Sequence, residues 1–148
     1  MEFVVADVME RHIADILQIE KDCFSLPWNR RQLMSQLTDD RHIFIAACSL
    51  EDKVLGYVGV DCVLDEGYIS NVAVSPEYRK QGVADALLTE LLSRAEKREL
   101  SFLTLEVRES NIPAISLYSK HGFANVGMRK NYYAKPMENA ILMTKFLK

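Results

Sequence analysis

Val83, Leu87, Leu91 and Ala95 recur at four-residue intervals with Ala84, Leu88 and Leu92 beside them, a broad apolar stripe that predicts a helix over 82–98. A helix with such a face is stable only when the face is buried against another element. The segment just before it, 67–74, is rich in the β-branched and aromatic residues of a strand, and a short turn joins the two. The chain must therefore build a sheet with helices laid on it.

The flanking sequence continues this pattern. A strand is expected over 2–6 and a helix over 10–22, where Ile13, Ile16, Leu17 and Glu20 recur at three- and four-residue spacing. After Phe24-Ser25-Leu26-Pro27-Trp28, Asn29 and Gln32 form a capping-box-like start for a second, short helix carrying Leu33, Met34 and Leu37. Strands at 42–49, 53–63 and 67–74, broken by Glu51-Asp52 and Asp65-Glu66-Gly67, suggest an antiparallel meander. A strand at 101–107 precedes a helix at 112–121, which Asn111 can cap and which holds Pro113 in its first turn, and strands near 123–130 and 139–147 follow. The expected fold is mixed α/β: one domain over 1–148, a mostly antiparallel twisted sheet of about seven strands flanked by four helices.

With 148 residues, 49% of them hydrophobic, such a domain buries roughly 70% of its unfolded surface and needs neither a disulfide nor a structural metal. Cys23, Cys48 and Cys62 form no CxxC pair and no spacing typical of metal ligands, so they are read as reduced and structural. The first residues lack a basic signal-peptide start and a membrane-spanning apolar run, which points to a cytoplasmic protein with no membrane partner. A net charge of −3 argues against direct nucleic-acid binding, which rests on clustered Lys and Arg.

The turn Ser75-Pro76-Glu77-Tyr78-Arg79-Lys80-Gln81-Gly82-Val83-Ala84 opens directly into the strongest helix. Such a junction aims unpaired N–H groups and the positive end of a helix dipole at one spot, a setting suited to a pyrophosphate. Gly82 and Ala84 leave the backbone accessible, and Arg79 and Lys80 add positive charge at the rim. The same residues also suit a plain helix start with a solvated charged turn. Neither a GxxxxGK[ST] loop nor a GxGxxG after the first strand is present.

Arg79-Lys80-Gln81-Gly82-Val83-Ala84 matches the [Q/R]xxGx[G/A] signature of the GNAT superfamily of acetyltransferases, with Ala84 where many relatives carry glycine. Leu105-Glu106-Val107-Arg108-Glu109-Ser110-Asn111, Ala114-Ile115-Ser116-Leu117-Tyr118 and Gly122-Phe123 resemble the motif that follows in that family. Pro27-Trp28 and Asn131-Tyr132-Tyr133 make the chain similar to the bacterial ribosomal-protein-alanine N-acetyltransferases, so the resemblance spans nearly the whole chain.

The resemblance implies acetyl-CoA as co-substrate, held by Val72, Ala73, Val74, Arg79, Lys80, Gln81, Gly82, Val83, Ala84, Asp85 and Asn111, with no metal. It further implies a strand bulge near Val72 and Val74 whose backbone serves the oxyanion and the pantetheine arm. An α-amine has a pKa of about 7.7–8.0, so much of it is protonated at neutral pH and must lose a proton before attack. Glu106 is the implied base, directly or through a water, and Tyr118 the implied acid for the leaving thiolate. As purely structural residues, Glu106 would pair with Arg108 or a lysine, Tyr118 would sit in the core, and Asn111 would be a plain cap. His12, His42 and His121 show no serine, cysteine or carboxylate at telling sequence distance, so direct transfer is favoured over an acyl-enzyme.

The implied acceptor is a protein N-terminus, above all the N-terminal alanine of a small-subunit ribosomal protein. Trp28 in the interhelical loop and Tyr132 and Tyr133 in a loop between the last two strands are expected beside it, with Glu138 meeting basic residues of its tail. A lysine side chain or a small-molecule amine is the alternative acceptor, and a non-catalytic acyl-CoA-binding module the alternative of another class.

Overall fold

The computed structural model describes residues 2–148. The strands are β1 (Phe3–Asp7), β2 (His42–Ser49), β3 (Val54–Val63), β4 (Glu66–Val74), β5 (Phe102–Arg108), β6 (Ala124–Ala134) and β7 (Met137–Phe146). The helices are α1 (Ile13–Cys23), α2 (Arg30–Ser35), α3 (Val83–Lys97) and α4 (Ile112–Lys120), and single 3₁₀ turns occupy Glu10–His12 and Pro76–Tyr78. The element order is the expected one. All seven strands form one sheet in the order β1-β2-β3-β4-β5-β7-β6, antiparallel throughout except for β4 beside β5.

Two apolar layers sandwich the strong half of this sheet. On one face α3 sets Val83, Leu87, Leu88, Leu91 and Ala95 against Ile43, Ile45 and Ala47 of β2 and Leu103, Leu105 and Val107 of β5. On the other, α1 and α2 bring Ile13, Ile16, Ile19 and Leu33 onto Phe44, Ala46 and Cys48 of the same β2. Alternation along β2 thus serves both layers, and its interior is buried throughout. Each fully buried leucine of α3 contributes about 1.5–3 kcal/mol of hydrophobic stabilisation.

Local chemistry sets the boundaries. The capping box at α2 forms as expected: the Asn29 N–H donates to Gln32 Oε1 at 2.8 Å, and the Gln32 N–H to Asn29 Oδ1 at 2.9 Å. Asn111 caps α4 by accepting the Ala114 N–H at 3.2 Å. β6 runs further than expected, to Ala134, so Tyr132 and Tyr133 belong to a strand and not to a loop. Its register breaks between Arg129 and Tyr133, with Asn131 at φ 54°, and this irregularity hides the strand's continuation from a pattern reading.

The feature that positions the site is the β4–β5 pair. Strands β4 and β5 pair in parallel only from Glu66 with Phe102 to Tyr68 with Thr104. Immediately afterwards Ser70 is an extra residue in β4, because Val60 pairs with Ile69 and Gly59 with Asn71. A bulge bends the strand that carries it. From there on β4 and β5 carry no ladder between them, leaving a wedge in the middle of the sheet with a backbone edge on each side.

Candidate active site

The wedge opens into a cleft of about 450 Å³. Ile69, Ser70, Asn71 and Val72 of β4 form one side, and Leu105, Glu106, Val107 and Arg108 of β5 the other. Asn111, Ala114 and Tyr118 close it from α4; Phe24, Leu26 and Trp28 reach it from the α1–α2 loop, and Tyr132, Tyr133 and Lys135 from the β6–β7 hairpin. Residues expected at the active site from motifs far apart in sequence thus share one lining: Glu106, Tyr118, Asn111, Val72, Trp28, Tyr132 and Tyr133.

Glu106 is partly exposed, and Arg129 Nε of β6 lies 3.4 Å from its Oε1. The expected structural partner, Arg108, is committed elsewhere. It donates to the Pro136 carbonyl at 2.9 Å, the Lys135 carbonyl at 3.1 Å and Glu138 Oε1 at 3.1 Å, and its guanidinium stacks 4.3 Å from the Tyr133 ring centre. Arg108 thereby ties β5 to the hairpin carrying the tyrosines.

Glu138 is held by the same contacts. Its second oxygen accepts the Ser110 N–H at 2.7 Å, and Ser110 and then Arg108 hold its carboxyl below the usual range. It lies outside the cleft lining, and its two oxygens brace β7 against Arg108 and Ser110.

Tyr118 is buried, its ring 5.9 Å from that of Phe123. Burial, and after it the neighbouring Tyr133, pushes its phenol above the usual range, so it is protonated at neutral pH. Tyr133 is half-buried and is pushed up to about 12 by burial first and then by Tyr132 and Glu106. Tyr132 packs edge-on against Tyr133 at 5.1 Å and remains half exposed.

At the far end of β4 the turn Arg79–Gly82 leads into α3. Lys80 has φ 62° and Gly82 φ 82°, and a Cβ built on Gly82 meets nothing within 4 Å. The space beside Gly82 is thus open for an anion to reach the first amides of α3, which have no intrahelical acceptors. Arg79 donates from Nε to the Val74 carbonyl at 3.2 Å and lies 3.3 Å from Cys23 Sγ, so it bridges the ends of β4 and α1. Gln81 is exposed and folds back on the Glu77 carbonyl at 3.3 Å.

Other expected cofactor residues divide between solvent and core. Val83 is buried under α3, Ala73 is buried against the α1 layer, and Val74 packs on the α3 layer. Asp85 is turned to α4, where His121 Nε2 at 2.8 Å and Lys120 Nζ at 3.0 Å hold its carboxyl below the usual range. It joins two helices at the side of the site. The bulge expected near Val72 and Val74 lies at Ser70, two residues nearer the point where the strands part.

Three features of this region lie outside the sequence motifs. Glu20 was only one member of the α1 stripe, yet it is fully buried and lines the cleft; a carboxylate among Ile13, Ile16 and Ile19 was the available signal. Cys23 lines the cleft and is not simply core, and burial raises its thiol despite the adjacent Arg79. Each histidine also has a carboxylate partner distant in sequence: His12 with Asp52 at 3.0 Å, His42 with Asp61 at 2.8 Å and His121 with Asp85 at 2.8 Å.

His12, Cys48 and Asp52 bring ligand-type atoms within 4.8 Å of one another. His12 Nδ1 accepts the Met9 N–H at 2.9 Å, so Nε2 carries the proton that faces Asp52. Both ring nitrogens are thereby used, and His12 is a hydrogen-bonded anchor for Asp52, whose other oxygen pairs with Arg11 at 2.5 Å.

Residues 13–123 match the acetyltransferase (GNAT) family. The chain belongs to the GNAT family of acetyltransferases. It is 36% identical over 127 residues to the ribosomal protein bS18-alanine N-acetyltransferase of Escherichia coli K12, covering 84% of each chain. It is 31% identical over 147 residues to the enzyme of that name from Haemophilus ducreyi, covering 97% of this chain and 100% of the relative. The crystal structure of the ribosomal-protein-S18-alanine N-acetyltransferase from Escherichia coli superposes with a TM-score of 0.90 at 30% identity, over 99% of this chain and 95% of that one. The GNAT resemblance read from the two central motifs and the expected element order both hold.

Proposed function

We propose that this acetyltransferase moves the acetyl group of acetyl-CoA to the α-amine of a protein N-terminus, with the N-terminal alanine of a small-subunit ribosomal protein as acceptor and the cytoplasm as its setting. The observation that carries the reading is the wedge between β4 and β5, which gathers a carboxylate, a protonated phenol and a free strand edge in one cleft. The names of the relatives in Escherichia coli and Haemophilus ducreyi support the acceptor.

In this mechanism the pantetheine arm lies along the free edge of β4 as an added strand, and its pyrophosphate meets the Arg79–Gly82 turn. Backbone N–H groups beside the Ser70 bulge receive the thioester oxygen as it becomes an oxyanion. The acceptor enters between Trp28 on one wall and Tyr132 and Tyr133 on the other, which directs its amine toward Glu106. Glu106 removes the amine proton, directly or through a water; the nitrogen attacks the carbonyl carbon, and the C–S bond breaks as Tyr118 gives its proton to sulfur. Arg129 orients Glu106 and is exposed enough to swing aside.

Steady-state assay of Glu106→Gln and Tyr132→Ala with acetyl-CoA and an alanine-initiated peptide tests the two halves. Glu106→Gln should lose roughly 10²–10⁴-fold in kcat with the fold intact. Tyr132→Ala should raise the KM for peptide and leave acetyl-CoA affinity nearly unchanged. Wild-type turnover in Glu106→Gln would remove it as base, and unchanged peptide KM in Tyr132→Ala would move the acceptor to another wall.

A further inference from the structure

Glu20 is completely buried beside the cleft, and three donors converge on its carboxylate from three other segments. The Trp28 N–H of the α1–α2 loop donates to Oε1 at 2.7 Å. Asn71 Nδ2 of β4, one residue past the bulge, donates to Oε2 at 2.9 Å, and the Tyr57 hydroxyl of β3 donates to the same oxygen. Burial pushes the Glu20 carboxyl above its usual range, while the Trp28 amide and Asn71 pull it back. A core in which carboxylate and donors were all replaced by apolar residues of similar volume would be about as stable, so the polar set calls for another reason.

That reason lies in what the donors hold. Trp28 sits on the acceptor wall of the cleft, and Asn71 follows the bulge whose backbone faces the thioester. A single carboxylate fastens both to α1. Each of its oxygens is already an acceptor, so Glu20 is poorly placed to take a proton from an incoming amine, which leaves that task to Glu106.

We infer that Glu20 is a positioning residue that locks the α1–α2 loop to β4 and sets the spacing between the acceptor wall and the strand edge under the thioester. This rests on the reading that the cleft joins acetyl-CoA to a peptide amine. Glutamine is isosteric but has one acceptor oxygen, so Glu20→Gln must turn an NH₂ group either toward the Trp28 N–H or toward Asn71 and Tyr57.

Trp28 is the only tryptophan in the chain, so its fluorescence reports on the loop without requiring turnover. In Glu20→Gln, Trp28 emission should shift to the red and become more open to acrylamide quenching. The KM for an alanine-initiated peptide should rise about tenfold, the size of one lost hydrogen bond to a charged group, with acetyl-CoA affinity changing less than about twofold. Asn71→Ala cuts only the β4 tie and should lower kcat about tenfold with Trp28 emission unchanged. A folded Glu20→Gln with wild-type emission and peptide KM overturns the inference, and should that variant fail to fold, wild-type kcat in Asn71→Ala does so. Wild-type protein that acetylates nothing would refute the acetyl-transfer reading, and the Trp28 signal would still decide whether Glu20 holds the loop.

Discussion

Gly82 separates two demands that a turn into a helix can place on one residue. Its φ of 82° lies in the left-handed region, where an ordinary L-residue costs about 1–2 kcal/mol. Its missing Cβ faces open space with no protein atom within 4 Å, so Gly82→Ala meets no clash inside the chain. Thermal unfolding should therefore fall by the strain alone, about 2–8 °C for a domain of this length. Asparagine enters the left-handed region more readily, so Gly82→Asn should be the more stable of the two. If the open space receives the pyrophosphate, calorimetric titration with acetyl-CoA should rank them the other way, with the larger Asn side chain weakening binding at least as much as Ala. Acetyl-CoA affinity equal to wild type in Gly82→Asn would refute the cradle, and a loss that followed unfolding temperature would reduce Gly82 to a helix start.

Tyr118→Phe keeps the packing against Phe123 and removes the proton donor, so turnover measured by thiol release should fall by roughly 10²–10⁴-fold with little change in unfolding temperature. Leu91→Ala, at a fully buried position of α3, should lower stability by about 2–5 kcal/mol in urea unfolding. The Asp85 carboxyl is held below its usual range by His121 first and Lys120 next, so its contribution to stability is present above about pH 4, the unfolded carboxylate range, and is lost as pH falls through the lower folded value. Asp85→Asn should flatten that acid limb in denaturation midpoints measured from pH 7 downward, and an unaltered acid limb would assign the link between α3 and α4 to packing.

Elements whose signals are local could be read directly from the chain. The α3 stripe, the Asn29–Gln32 capping box and the Asn111 cap each lie within a few residues, and each took the expected form. Contacts that join distant segments were hidden. Pattern alone offered Arg108 or a lysine as the partner of Glu106 and did not point to Arg129, because that contact depends on β7 lying between β5 and β6 in the sheet. The end of β6 was lost because the irregularity before Tyr133 interrupts its period of two. Glu20 falls in the α1 stripe with Ile13, Ile16 and Leu17, but the partners that accompany its burial, Tyr57, Asn71 and the Trp28 amide, come from distant segments and a loop.

The most direct test of acetyl transfer to a protein N-terminus uses one peptide offering both kinds of amine, a free N-terminal alanine and an internal lysine, with acetyl-CoA as donor. Fragment-ion mass spectrometry over the time course locates the acetyl group. Acetylation is expected first at the α-amine, with an N-terminally blocked version of the peptide reacting far more slowly; equal or faster modification of the internal lysine would contradict the N-terminal assignment.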